Sequence, residues 1–220
     1  YKEDLVRAFG GNMNPGLLAP SVHKFANPGP LGLSAFALTT FVLSMYNAKA
    51  MGITVPNVIV SLAFFYGGAV QVLAGMWEFA CENTFGATAF CSYGGFWISY
   101  AAILTDSFGI LAAFEEFESQ VGPALGFFLL GWTIFTTMMW LVTIRSTWAF
   151  TSLFFLLDIT FLMLTISEFT GNTKCHKAGG VLGVIVAFIA WYNAYAGLAT
   201  KENTYLTIKP FYVPGSTSKI

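Results

Sequence analysis

Long apolar stretches dominate this 220-residue chain and leave few architectures open to it. A helix needs about 20 apolar residues to cross the hydrocarbon core of a bilayer. Backbone polar groups in hydrocarbon must be satisfied within the segment, which favours helices. We therefore predict an all-α integral membrane protein with six transmembrane helices. The six stretches are Leu31–Ala48, Val55–Ala80, Thr84–Leu104, Pro123–Ile144, Trp148–Ser167 and Ala178–Thr200.

Charged residues make up only 10% of the chain, and they fall between or at the ends of the stretches, Asp158 excepted. We divide the chain into an N-terminal cytoplasmic segment 1–26, a transmembrane domain 27–200 and a cytoplasmic tail 201–220. The first stretch is a full span rather than a cleaved leader. Basic residues favour the cytoplasmic side of a membrane. Seven of the ten fall on the side of both termini, namely Lys2, Arg7, Lys24, Arg145, Lys201, Lys209 and Lys219. We therefore expect a multi-pass protein with both termini in the cytoplasm.

Several function classes find no support in the residue pattern. The three cysteines form no CxxC pair, and His23 and His176 are too far apart in the chain for a metal site. No basic stripe predicts a nucleic-acid partner. The chain lacks HExxH, GxSxG and paired catalytic carboxylates, so we expect no enzyme activity, no metal and no cofactor.

Three spans carry a helical face that mixes apolar with polar side chains. Such faces are typical of a narrow, partly wetted path between helices, and equally of interhelical hydrogen bonds in a solid bundle. The pattern alone does not choose between the two. The faces are Phe36, Thr40, Leu43 and Asn47 in the first span, Phe64, Gly68, Gln71, Gly75 and Glu78 in the second, and Thr151, Phe155, Asp158, Leu162 and Thr165 in the fifth.

Small residues form stripes on two further spans. Small side chains let membrane helices approach closely, so we interpret both stripes as packing surfaces. They are Thr88, Ser92, Gly95 and Ser99 in the third span, and Gly180, Gly183, Ala187, Ala190, Ala194 and Gly197 in the last.

Asp158 lies near the middle of its span, where an ionised carboxylate costs at least about 2.5–3.5 kcal/mol. It is therefore a candidate proton site, and the alternative is a neutral structural acid bonded to a neighbouring helix. Glu168 lies at a span end, where most charges are simply hydrated. Glu78 is the strongest functional candidate among the end charges because it continues the Gly/Gln face.

Asn27-Pro28-Gly29-Pro30-Leu31-Gly32-Leu33 stands at the start of the first span. Asn27 is a residue type that caps helices, and a helix start attracts anions through its free N–H groups. The segment therefore suits a small carboxylate at the mouth of the bundle, although a turn without a ligand fits equally well.

This segment closely resembles the NPAPLGL signature of the acetate uptake transporter family, with glycine at position 29 where the signature often has alanine. The resemblance continues through further segments in order and covers essentially all six spans. Those segments are Phe64–Gly68, Glu82–Gly86, Ser92–Trp97, Ala178–Gly183 and Trp191–Gly197, the last two being similar to the fungal branch.

The resemblance implies a pore within each six-helix protomer, a hexameric ring in the plasma membrane, and acetate and other short monocarboxylates as substrates, with protons co-transported. The family's Phe, Tyr and Leu constriction maps onto Phe36, Tyr93 and Leu157. From the polar faces and the start of the first span, together with this resemblance, we predict a substrate pathway lined by Asn27, Thr40, Asn47, Gln71 and Glu78. Alternatives are a passive anion channel, an ammonium exporter, and a membrane scaffold or sensor that transports nothing.

Overall fold

The described residues are 25–208 and 210–216 of a computed structural model, and long α-helices account for most of them. We number the helices α1 to α6 along the chain. They are α1 (Gly29–Asn47), α2 (Val58–Ala80, interrupted by a π-helical turn), α3 (Thr84–Leu104), α4 (Val121–Thr143), α5 (Trp148–Thr170) and α6 (Thr173–Leu198). The predicted all-helical architecture is confirmed at this level.

Local capping interactions fix where several helices begin. The side chain of Asn83 accepts a hydrogen bond from Gly86 N at the start of α3, and Thr147 accepts one from Phe150 N at the start of α5. Asn172 accepts from the backbone N–H groups of Lys174 and Cys175, so α6 begins at Thr173. Its start was predicted at Ala178, too late by more than one turn, because a polar first turn carries no apolar signal.

Helix α2 contains a π-helical turn at Phe65–Val70, directly before Gln71. The turn allows a close approach at Gly67, where an added Cβ atom would lie 2.7 Å from the Cβ of Thr39 on α1. Single π-helical turns inside α-helices are frequent at functional sites. This turn positions Gln71 towards the interior, where its side chain is fully buried.

The helices pack as a closed ring around an aromatic interior. Extensive contacts join α2 to α1 and α3, and join α6 to α1 and α5, while α4 packs along α5. Aromatic side chains close the remaining gap, because Tyr93 and Phe96 of α3 contact Trp132 of α4 with ring centroids 6.2 and 5.3 Å apart. Phe96 also contacts Phe161 of α5 at 5.3 Å. The interior is therefore bordered by α1, α3 and α5.

The predicted small-residue stripe of the last span packs against α1. A Cβ atom at Gly180 would lie 2.7 Å from the carbonyl carbon of Asn47, and one at Gly197 would lie 2.9 Å from Pro30. The stripe on α3 behaves differently, since nothing among the described residues lies within 4 Å of a Cβ atom at Gly95. Within one protomer the stripe is therefore open at Gly95, whereas Thr88, Ser92 and Ser99 are half-buried.

Five of the long helices are long and apolar enough to cross a membrane. The exception is α3, which has 21 residues but interrupts its apolar character with glycine, serine, threonine and tyrosine. The six-span topology therefore stays a prediction. The predicted segment 1–26, except its last two residues, lies outside the described residues, as do Lys209 and 217–220 of the predicted tail.

Candidate functional site

Three small cavities lie inside the bundle, and we name each after one polar residue that lines it. The Gln71 cavity measures about 20 Å³, the Thr40 cavity about 40 Å³ and the His176 cavity about 60 Å³. A water molecule needs roughly 10–15 Å³ of such space. Each cavity therefore has room for one or a few water-sized groups.

The cavities follow one another along α1. Leu33 and Phe36 line the Gln71 cavity, Phe36, Thr40 and Leu43 line the Thr40 cavity, and Leu43 and Asn47 line the His176 cavity. The stretch from Leu33 to Asn47 corresponds to roughly 20 Å of helix at about 1.5 Å per residue. The three cavities therefore form a row along the bundle axis.

Helix α5 gives the same order independently. Leu153 lines the Gln71 cavity, Leu157 lines both the Gln71 and Thr40 cavities, Leu164 lines both the Thr40 and His176 cavities, and Glu168 lines the His176 cavity. Helices α1 and α5 run in the same direction and therefore line the cavities in the same order. The row is a property of the bundle interior and not of one helix.

Phe36, Tyr93 and Leu157 come together at one end of this row. All three are buried and line the Gln71 cavity, and the rings of Phe36 and Tyr93 have centroids 5.9 Å apart. Phe36 and Leu157 also line the Thr40 cavity, so they form the neck between the two. The Tyr93 hydroxyl is 3.0 Å from Thr136 Oγ1 on α4, which holds the ring in place. The role of these residues as a constriction stays a prediction.

Unpaired polar atoms occur on both sides of this neck. Neither amide atom of Gln71 has a hydrogen-bond partner within the part of the chain that the structure describes, and the same holds for Thr40 Oγ1. Gln71 is 0% exposed and Thr40 is 6% exposed. A buried polar group without a partner costs about 1–3 kcal/mol and is uncommon in native proteins. Beside an internal cavity, such groups indicate that a solute or water supplies the missing hydrogen bonds.

Asn47 belongs to a polar cluster at the other end of the row. His176 Nε2 lies 3.1 Å from Asn47 Oδ1, and His176 Nδ1 lies 3.9 Å from Glu168 Oε1. All three side chains line the His176 cavity. Sequence reasoning assigned His176 to a flanking segment and gave Glu168 no role. Asn172 could have indicated their proximity in the sequence, because a helix-capping residue stands midway between Glu168 and His176. It caps the start of α6, and the turn there brings both side chains to the same cavity.

Asp158 lines none of the three cavities. Its Oδ1 accepts a hydrogen bond of 2.9 Å from Thr137 Oγ1 on α4, which is the contact expected of a structural acid. Its role as a proton site stays a prediction.

The residues of the polar face predicted along the fifth span line none of the three cavities. Thr165 bonds Thr133 of α4 at 3.2 Å, and Phe155 packs against Trp140 of α4 at 5.1 Å. Leu162 is exposed. Interhelical contact with α4, the alternative explanation, agrees with the partners of Thr165, Phe155 and Asp158.

Asn27 and Glu78 lie together beside the start of α1, away from the cavities. Asn27 Oδ1 accepts a hydrogen bond from Gly29 N, and the Glu78 carboxylate accepts one of 2.7 Å from Asn83 Nδ2. Glu78 is 2% exposed, and a Cβ atom at Gly29 would lie 3.4 Å from its Oε1. The acidic group beside this helix start is therefore the chain's own Glu78 side chain. The assignment of both residues to a substrate pathway stays a prediction.

A bundle of long apolar helices around a row of internal cavities with unpaired polar groups is the architecture of a multi-pass membrane protein. The chain belongs to the GPR1/FUN34/yaaH family, whose sequence profile matches residues 9–215. The predicted family resemblance is thereby confirmed.

Individual relatives cover nearly the whole chain. It is 61% identical to "Ammonia transport outward protein 2" of Saccharomyces cerevisiae, over 98% of this chain and 76% of that protein. It is 50% identical to "Acetate permease A" of Emericella nidulans, over 98% of this chain and 76% of the relative. The solved structure of "the bacterial acetate channel SatP" is similar with a TM-score of 0.74 at 33% identity, covering 84% of this chain and 100% of the other.

Proposed function

We propose that the chain moves acetate and other short monocarboxylates across the membrane, through the row of cavities inside one protomer. The observation that carries this proposal is that Gln71 is one of the residues lining a cavity, while neither atom of its buried amide has a partner among the described residues. The names of two relatives, an acetate permease and an acetate channel, support the same substrate class.

The neck at Phe36, Tyr93 and Leu157 is where the solute sheds its water. Moving a polar group out of water without a replacement hydrogen bond costs roughly 2–7 kcal/mol, depending on the reference state. Gln71 on one side of the neck and Thr40 on the other offer those replacements, and both are unpaired in the described protomer. Asn47 continues the polar lining beyond Thr40.

Labelled-acetate uptake into proteoliposomes tests the proposal with Gln71→Met, which keeps the side-chain length and removes the amide. We expect uptake to fall by about tenfold, the effect of one lost hydrogen bond to a charged solute. The unfolding midpoint should stay or rise, because the unpaired amide is itself unfavourable. Asn193→Met is the matched control, since the Asn193 amide donates to Ile189 O and lines none of the three cavities. Unchanged uptake in Gln71→Met would contradict the proposal.

We further propose that a proton accompanies the carboxylate. An ionised carboxylate crossing an apolar neck unpaired would pay a large desolvation cost, which a proton removes. The two candidate proton groups are Asp158, bonded to α4, and Glu168, in the His176 cavity.

Simultaneous recording of acetate and proton flux tests the coupling. A fixed ratio of the two fluxes is expected, and Asp158→Asn and Glu168→Gln identify which group carries the proton. The alternative is a passive anion channel. Unitary currents in a planar bilayer, with acetate flux indifferent to the pH gradient, would support that alternative.

Ammonium passage is the second candidate function, because the chain is 61% identical to a protein named for outward ammonia transport. Competition between labelled acetate and ammonium in the same proteoliposomes distinguishes a shared path from separate ones. Protein that moves neither solute would support a scaffold or sensor instead.

We also propose a hexamer in the plasma membrane with both termini in the cytoplasm. The small-residue stripe on α3 supports self-association, since Gly95 has open space beside it among the described residues and small residues mark helix contacts in membranes. Native mass spectrometry of Gly95→Leu should show loss of the oligomer. Gly131→Leu is the control, because its position is equally open but lies between Phe127 and Phe135 on α4 and not on a stripe of small residues. Accessibility of a C-terminal epitope in intact cells tests the orientation.

A further inference from the structure

We propose that Phe85, Phe150 and Phe154 form a second gate, which closes the cavity row at the end where α5 begins. The C-terminal segment 211–213, which we call the strap, holds this gate shut by pairing with the start of α5. The inference rests on the proposed transport through the row, and it adds to that transport a second barrier and a means of controlling it.

A fourth cavity lies beyond this end of the row, between the start of α3, the end of α4 and the start of α5. It measures about 490 Å³, and we name it the Arg145 vestibule after the charged residue that lines it. Phe85 and Phe150 line the vestibule. One helical turn further along the same two helices, Ala89 and Phe154 line the Gln71 cavity. The vestibule therefore continues the row along α3 and α5.

Three aromatic rings separate the vestibule from the Gln71 cavity. The ring centroid of Phe85 lies 5.5 Å from that of Phe150 and 5.4 Å from that of Phe154. The centroids of Phe150 and Phe154 are 5.3 Å apart. Rings in such contact leave no room for a hydrated solute between them, and apolar constrictions of this kind gate pores by excluding water. The three rings therefore form a closed barrier.

The charge of the vestibule favours the solute that this barrier holds back. Arg145 is the charged residue of its described lining. A cleft that carries one sign of charge raises the local concentration of ions of the opposite sign. A carboxylate that collects in the vestibule still meets the three rings before it reaches the Gln71 cavity. Passage at this end of the row therefore requires the rings to move.

Main-chain hydrogen bonds join the strap to the chain segment just before α5. The two run antiparallel, with a bridge between Thr147 and Tyr212. Trp148 N donates to Phe211 O at 2.9 Å, on one side of the bridge. On its other side, the N–H of residue 213 donates to the carbonyl of residue 146 at 3.0 Å. The strap is therefore bound to the residues from which α5 starts.

Thr147 connects the strap to the gate. Its hydroxyl accepts a hydrogen bond of 3.2 Å from Phe150 N and so caps α5. The tail is also anchored at its other end, where the hydroxyl of Tyr195 on α6 donates to Leu206 O at 2.9 Å. The tail thus runs from the end of α6 to the start of α5 and is bound at both. Release of the strap frees the first turn of α5, together with the Phe150 ring.

Thiol labelling of a reporter cysteine tests the gate without relying on transport. Ala89→Cys places a thiol in the Gln71 cavity of the full chain, in which the three native cysteines are replaced by alanine. In Phe150→Ala we expect a small methanethiosulfonate reagent to label this thiol at least about tenfold faster, because the apolar barrier is broken. Phe155→Ala is the matched control on the same helix. Phe155 packs against Trp140 and lines neither the Gln71 cavity nor the vestibule, so labelling should be unchanged.

Two variants of one residue test the strap. Val213→Pro removes the N–H that donates to Ser146 O, whereas Val213→Ala keeps it. Loss of one hydrogen bond should favour the open gate by about fivefold. We therefore expect labelling of Ala89→Cys and uptake of labelled acetate to rise by about that factor in Val213→Pro, and both to stay unchanged in Val213→Ala. If Phe150→Ala fails to assemble, Val213→Pro decides, because residue 213 lies outside the helices.

A second reporter distinguishes opening of the gate from general loosening. Val186→Cys places a thiol at a fully buried position that lines none of the four cavities. Its labelling should stay slow in every variant. Equal acceleration at both reporters would overturn the inference and indicate a packing role for the rings.

Other outcomes also contradict the inference. Unchanged labelling of Ala89→Cys in both Phe150→Ala and Val213→Pro would show that the rings close nothing. Faster labelling in Phe150→Ala alone would overturn the role of the strap. Faster labelling with unchanged acetate uptake would remove the gate from the transport path. Failure of the unmodified protein to move acetate would instead overturn the proposed function, and the labelling rates would still decide whether the rings form a barrier.

Discussion

Replacing Gly180 by alanine is the sharpest perturbation of the contact between α1 and α6, which holds one end of the cavity row together. A Cβ atom there would lie 2.7 Å from the carbonyl carbon of Asn47 and 2.9 Å from Ser44 O, with Ala48 N closer still. Non-bonded carbon atoms prefer about 3.5–4.0 Å. The neighbours are backbone atoms that cannot rotate away, so α1 and α6 must separate locally by about 1 Å.

The cost follows from overpacking in a close-packed interior, typically about 1–3 kcal/mol. The new Cβ atom would clash with three backbone atoms of α1 and its C-terminal end, so we expect the loss of unfolding free energy in Gly180→Ala to lie at the upper end of that range. For a protein of this size, each kcal/mol corresponds to about 2–4 °C in the unfolding midpoint, so we expect a fall of about 6–12 °C. The control is Gly131→Ala in the middle of α4, where no described atom lies within 4 Å of the new Cβ. Alanine is the better helix former by about 1 kcal/mol, so its midpoint should stay or rise.

Intrinsic tryptophan fluorescence during heating of the purified protein in detergent measures both midpoints. The same substitution should weaken acetate transport, because separation of the helices moves Asn47 away from its 3.1 Å contact with His176. A midpoint for Gly180→Ala that matches that of Gly131→Ala would refute the reasoning, since the two helices would then not approach as closely as described.

Three further substitutions test the neck, the mouth of α1 and the interhelical acid. Leu157 separates the Gln71 and Thr40 cavities, so Leu157→Ala should join them. We expect the uptake ratio of butyrate to acetate to rise and the free energy of unfolding to fall by about 2.7–5 kcal/mol. An unchanged uptake ratio would place the size limit elsewhere. Asn83→Ala removes both the 2.7 Å bond to the buried Glu78 side chain and the helix cap on Gly86 N, whereas Asn83→Ser keeps a capping oxygen. Asn83→Ser should therefore cost about 1–3 kcal/mol of unfolding free energy in denaturant titrations for the unpaired Glu78, and a neutral effect of this variant would mean that Glu78 is protonated or hydrated. Thr137→Val removes the hydrogen bond to Asp158. The free energy of unfolding should fall by about 0.6 kcal/mol, the mean for interhelical hydrogen bonds in membranes, and acetate uptake should stay unchanged. A collapse of uptake would assign Asp158 to the transport path.

The face of α1 and the position of Gln71 on α2 could be predicted from the sequence because both arguments used there are local. Helical periodicity aligned Phe36, Thr40, Leu43 and Asn47, and all four line the cavities. Gln71 stood out because an amide flanked by glycines in an apolar span needs a partner. The glycines permit close helix contact, and the contact buries the amide.

The other lining residues of the cavities could not be predicted, because they depend on which neighbouring helix each face packs against. Helical periodicity does not contain that information. On α5 the more polar face packs against α4, so Asp158 bonds Thr137 while the apolar Leu157 borders the cavities. Trp97 is one of many aromatic residues in the sequence. Only the packing of α3 against its neighbours places it, buried, beside the Thr40 cavity. His176 was missed because α6 begins one turn earlier than its apolar residues indicate.

The distribution of charge along the cavity row bears directly on coupling. The Gln71 and Thr40 cavities are lined by uncharged side chains alone among the described residues, and Glu168 and His176 appear only in the His176 cavity. A carboxylate that leaves this charged end meets neutral donors on both sides of the neck and no fixed positive charge. Neutral donors replace part of its hydration but do not offset its charge. In the proposed coupling, a proton taken up with the acid lowers the barrier at the neck. The acidic and histidine side chains that line the row, Glu168 and His176, lie at one end of it.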